Sequence, residues 1–213
     1  MTSELPQDVP ENVQDIRDDL AFLRTLVQTG DDNLRQFGRV YLAAGVCYLA
    51  QTLLGLGQAS GWIPNKGAAI GLTIGIGPTA IFLVSLAVIL RRGRSKPAPG
   101  AASRAIAAMF GAVGMANLVL ITVISMVAWR EKSVTIWLLY PCAVFISQGA
   151  AWLAMYSLRR RPWVALVAAV YFGCAIGMGV GIDSWLVYLG FASAGLLFGM
   201  ALPGAWLMTR KSA

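Results

Sequence analysis

The chain has no histidine. That absence removes Ser-His and Cys-His catalysis, HExxH zinc sites and histidine-ligated haem at a stroke. Charge is also scarce, at 13% of residues, against about 25% in an ordinary soluble domain. Three cysteines are present, Cys47, Cys142 and Cys174, each inside a long apolar run and with no CxxC spacing. Buried thiols of that kind behave as small hydrophobes, so neither a metal centre nor a disulfide framework is expected, and no cofactor. GxSxG, P-loop and dinucleotide motifs are missing too. What remains is 57% hydrophobic, more apolar surface than a soluble core of 213 residues could hide but not more than a bilayer can.

Crossing a hydrocarbon core of about 30 Å takes about 20 apolar residues at about 1.5 Å of rise each. Six segments qualify: 38–58, 68–90, 105–129, 134–157, 163–182 and 185–208. Their runs are continuous and about twice as long as a barrel strand needs, which excludes a β-barrel. The formal charge of +7 superficially suggests nucleic acid, but its distribution marks topology instead. Arg35, Arg39, Arg91, Arg92, Arg94, Lys96, Arg104, Arg159, Arg160, Arg161, Arg210 and Lys211 all fall on one side of the predicted spans; Lys66, Arg130 and Lys132 fall on the other. This alternation places both ends in the cytoplasm and excludes a nucleic-acid partner. Trp62, Trp129, Trp137, Trp163, Trp185 and Trp206 sit near span ends, as interfacial anchors do.

Residues 1–36 form an acidic segment without a secretory signal, and residues 37–209 the membrane domain, followed by a tail at 210–213. Within the first, 11–29 is predicted as a cytoplasmic amphipathic helix. Asp8 and Glu11 have capping-box spacing, and Val13, Ile16, Leu20, Leu23 and Val27 make one apolar stripe. Its other face carries Asp18 and Asp19, and eight of the ten acids of the chain lie in the first 32 positions. An anionic leaflet repels such a face, so the expected partner is a protein surface: either the basic loops at 91–96 and 159–161 or a separate cytoplasmic protein.

Two spans carry a G-x-x-I-G-x-G pattern, with Gly71, Gly75 and Gly77 in the second and Gly173, Gly177 and Gly179 in the fifth. An inverted three-plus-three repeat would match these helices, but both motifs fall in the same half of the bilayer, so close helix packing is the better reading. The sequence leaves homo-oligomerisation through such faces open. Gln51, Asn117, Ser147 and Gln148 are polar groups at membrane depth. Lipid cannot satisfy their side chains, so they are expected to face inward, as interhelical bridges or as a polar ligand site. No acid or base lies at mid-depth, which argues against a proton-driven pump.

The run Asp18-Asp19-Leu20-Ala21-Phe22-Leu23-Arg24, the ending Ala201-Leu202-Pro203-Gly204 and the hairpin pattern between them resemble a group of uncharacterised proteobacterial six-span integral membrane proteins. The resemblance implies a bacterial inner membrane and carries no activity with it. The expectation is therefore an all-α membrane protein: a six-transmembrane-helix bundle preceded by a cytoplasmic amphipathic helix. Its expected role is non-enzymatic, binding or regulating a partner through that helix. The alternative is a small transporter with a polar midplane site at Asn117 and Gln148.

Overall fold

A computed structural model describes residues 35–63, 68–93 and 101–209. Six helices in it are long and apolar enough to cross a membrane: α1 (Arg35–Ala59), α2 (Ala68–Gly93), α3 (Ala101–Glu131), α4 (Val134–Arg159), α5 (Pro162–Val180) and a sixth span, Trp185–Thr209. The chain is a multi-pass helical membrane protein. The shortest span, α5, has 19 residues, about 29 Å of helix and enough to traverse the hydrocarbon. Observed ends lie within a few residues of those expected from the apolar runs, because breakers bound each run on both sides. Ser133 caps α4 by accepting from the Ile136 N–H, and Pro162 opens α5.

The surface of the bundle is apolar. Val84, Met115, Met126, Leu166, Ile176 and Phe198 are all exposed, which water would penalise and lipid tails do not. Inside, α3, α4, α5 and the sixth span pack in sequence order. The first helix threads among them. Its Phe37 and Tyr41 meet Phe110 of α3 and Trp152 of α4, and its Gly38 and Gly45 lie against the sixth span. The second helix attaches to α1 through a ring contact between Tyr48 and Phe82 and a hydrogen bond from Gln51 Nε2 to the Gly75 carbonyl, 2.9 Å.

Between α1 and the sixth span, glycines bring the two backbones into direct contact. A Cβ on Gly204 would stand 2.5 Å from the Leu42 nitrogen and 3.0 Å from the Gly38 carbonyl oxygen; one on Gly45 would stand 2.7 Å from the Ala201 nitrogen. Backbone lies against backbone there, which only glycine and alanine permit.

Prolines shape three spans. A helical proline removes its own N–H and crowds the preceding turn, leaving carbonyls exposed to outside donors. Three residues before Pro78, the Gly75 carbonyl accepts from Gln51. Three residues before Pro141, the Leu138 carbonyl accepts from the Tyr188 hydroxyl at 2.7 Å. In both cases a neighbouring span supplies the donor. The sixth span solves the problem internally: α6 (Trp185–Gly195) widens into a π turn, Leu196–Ala201, before α7 (Leu202–Thr209). The Leu202 N–H bonds the Leu197 carbonyl, a five-residue step, so the helix gains one residue of slack just ahead of Pro203.

Candidate functional site

Among the described residues, a buried polar cluster joins α1, α4 and α5, in the half of the bundle where α1 begins and α4 ends. Trp152 Nε1 donates to the Tyr41 hydroxyl at 2.7 Å, and Tyr41 donates to Gln148 Oε1 at 2.7 Å. The Tyr171 hydroxyl lies 3.3 Å from that of Tyr41. With its proton committed to Gln148, Tyr41 accepts from Tyr171, so one phenol oxygen donates once and accepts twice and its capacity is filled. Trp152, Tyr41 and Tyr171 are buried almost completely. Such a hub is favoured in lipid because each unmet polar group there would be costly.

Rings surround the hub. Phe37 lies 4.9 Å from Tyr41 and 4.6 Å from Phe110; Trp152 lies 5.5 Å from Tyr41 and 5.7 Å from Trp163. The series ends with Trp163 against Trp206, edge to face at 4.3 Å. Trp163 Nε1 is buried without a hydrogen-bond partner. On the other side of the hub, the Tyr171 ring fits against Gly199 of the π turn, where an added Cβ would stand 3.0 Å from it. The widened turn and its Gly199 thus make room for the Tyr171 ring of α5.

The four amide and hydroxyl groups singled out from the sequence do not meet in one place. Ser147 Oγ donates within reach of Asn117 Oδ1 at 3.1 Å and of the Val144 carbonyl at 2.8 Å. Gln148, the next residue of α4, turns to Tyr41, while Gln51 turns to α2. They form three separate bridges: α3 to α4, α1 to α4, and α1 to α2. A fourth runs from Ser193 Oγ to Thr52 Oγ1, 3.0 Å. The groups of the hub are amide, indole and phenol; no carboxylate, amine or imidazole is among them. Its chemistry is neutral hydrogen bonding.

The glycines of the two repeated patterns differ among themselves. Gly177 is closed by the Phe191 ring, whereas a Cβ on Gly75, Gly77, Gly173 or Gly179 would meet nothing within 4 Å. Gly71 lies near the start of α2. The docking residues Val13, Ile16, Asp18, Asp19, Leu20, Leu23 and Val27 lie outside the described residues.

Sequence reasoning passed over Tyr41, Tyr171 and Trp152. One signal for them was present: Trp152 is the single tryptophan that does not sit near the end of a span. An indole N–H at depth needs an acceptor from a neighbouring helix. No protein-family model, curated protein or solved structure matches the chain.

Proposed function

We propose that the chain is a non-enzymatic, multi-pass protein of the bacterial inner membrane that binds or regulates a cytoplasmic partner through its N-terminal segment, with both ends in the cytoplasm. One observation carries this reading. Eight of ten acids and five apolar residues at helical spacing are concentrated in the segment that precedes α1, while the buried hub of the membrane domain is built from neutral side chains bonded to one another. The alternation of Lys and Arg supports the orientation. Missing histidine and missing nucleophile motifs support a role without catalysis. Burial of Leu20 and Leu23 supplies most of the affinity, about 1.5–3 kcal/mol each, against about 0–1 for an exposed charge pair.

The test is affinity recovery of the full chain from membranes. A soluble protein should co-purify in stoichiometric amount with the wild type and be lost from Leu20→Asp with Leu23→Asp. Recovery that is indifferent to those changes would sink the proposal. The runner-up, a small permease, needs Asn117 and Gln148 to exchange their interhelical bonds for a substrate, and recovery of no partner at all would favour it.

A further inference from the structure

After Asp32 the chain holds two acidic residues, Glu131 and Asp183. Glu131 closes α3 and Asp183 lies between α5 and α6, so both belong to one end of the bundle. The other end, where α1 begins, carries Arg39, Arg91, Arg160 and Arg161, all exposed. From Arg35 onward this basic end has no acidic side chain; the remaining eight acids of the chain all precede Arg35.

The turn between α4 and α5 concentrates that charge. Arg160 takes a left-handed conformation (φ 48°, ψ 34°) with its N–H on the Tyr156 carbonyl, and Arg161 is extended ahead of Pro162. Arg161 offers no side-chain acceptor to the first turn of α5, so the positive end of the helix dipole faces outward beside two guanidinium groups. The same turn lies close to where α1 starts. Phe37 is 6.2 Å from Trp152, and Trp152 is 5.7 Å from Trp163, two residues past Arg161. Arg35, where α1 begins, therefore lies at the same end of the bundle as the turn. Asp32 and Asp31 precede Arg35 by three and four residues in sequence. Asp18 and Asp19 are tethered by a stretch that can reach about 50 Å at about 3.3 Å per residue, several times the 8–10 Å between packed helices.

We infer that the acidic N-terminal segment of this same chain is the resting occupant of the α4–α5 turn, held by Arg160, Arg161 and the uncapped start of α5, and that partner binding requires its release. The release step rests on the proposed partner role; the resting contact does not. Tethering raises the local concentration of the segment to the millimolar range, so contacts weak in isolation suffice. A partner then competes with an intramolecular ligand, and ionic strength or neutralisation of Asp18 and Asp19 tunes the competition.

The experiment is thiol cross-linking of the full chain in native membranes, with Ala21→Cys and the exposed Ser157→Cys, one turn before Arg160, joined by a water-soluble bismaleimide. The native thiols are Cys142 and Cys174, both buried, and Cys47, half-buried inside α1, and the wild type serves as their control. The expected product is an intramolecular link whose yield falls about threefold or more between 0.1 M and 1 M salt, as the screening length drops from about 10 Å to about 3 Å. Arg160→Glu should lower the yield similarly, and adding Asp18→Lys with Asp19→Lys should restore it. Links between copies, a yield indifferent to both salt and Arg160→Glu, or a link that forms only in zwitterionic detergent would each overturn the inference; the last would assign the arginines to anionic lipid. Partner recovery with no intramolecular link refutes the resting contact alone. A charge-dependent link with no partner recovered upholds the contact and refutes the partner role.

Discussion

Two glycines that look alike in sequence should respond oppositely to the same substitution. At Gly204 an added methyl would lie 2.5 Å from the Leu42 nitrogen and 2.9 Å from its Cα, both backbone atoms that cannot rotate aside. Ordinary contact for such atoms is about 3.5–4.0 Å, so α1 would have to retreat by about 1 Å. That retreat loosens the Gly38 and Gly45 contacts on the same helix face. Overpacking of this kind costs about 1–3 kcal/mol, while replacing a helical glycine by alanine returns about 1 kcal/mol of propensity. Gly204→Ala should therefore destabilise the bundle by up to about 2 kcal/mol. At Gly173 an added methyl meets nothing within 4 Å; only the propensity gain applies, and Gly173→Ala should be neutral or more stable by up to about 1 kcal/mol. Reversible unfolding in mixed detergent–SDS micelles, followed by tryptophan fluorescence, measures both. The Trp163–Trp206 pair, two residues from Gly204, serves as a local reporter. Equal effects of the two substitutions, or a Gly204→Ala variant as stable as wild type, would refute the assignment of the α1 contact.

Removing the hub hydroxyl, Tyr41→Phe, leaves Trp152 Nε1 and Gln148 Oε1 without partners and should cost about 1–3 kcal/mol in the same assay, whereas Tyr171→Phe loses one long bond and should cost under about 1 kcal/mol; the reverse ranking would remove Tyr41 from the centre of the network. Asn117→Leu should be nearly silent because Ser147 keeps its bond to the Val144 carbonyl, while Gln148→Leu strands the Tyr41 proton and should cost about 1 kcal/mol. Reporter fusions after Lys96, after Arg161 and at the C-terminus should be active only in the cytoplasm, and fusions at Asn65, Glu131 and Asp183 only outside; one loop reversed with two reporter types would overturn the orientation.

Much of the architecture is legible in the sequence alone. Span number and boundaries follow from apolar run length, because the bilayer sets a one-dimensional requirement that a sequence meets or fails without reference to partners. Ser133, Pro162 and the glycine and arginine breakers act locally, which is why the helix ends agree to within a few residues. The amides were legible as groups needing partners, since lipid offers none. Which partner each found was not. Asn117 and Gln148 look equivalent by depth, yet one bonds Ser147 and the other Tyr41, because consecutive residues of α4 point about 100° apart and meet different helices.

The sequence by itself determined that this chain spans the membrane with six helices, that its basic residues alternate from side to side, and that eight of its ten acids are gathered ahead of the first span. These are properties of composition along a line, and the hydrophobic effect and the membrane act on them segment by segment. Only the tertiary structure decided that Gly38, Gly45 and Gly204 carry a backbone-to-backbone helix contact while Gly173 and Gly179 face open space, and that Tyr41, Trp152, Gln148 and Tyr171 share one hydrogen-bonded hub. In an apolar solvent every face of these helices is nearly equally hydrophobic, so amphipathic periodicity no longer says which side turns inward. Rotation and neighbour are then set by where small residues let backbones meet and where polar tips find each other, and both depend on two helices at once.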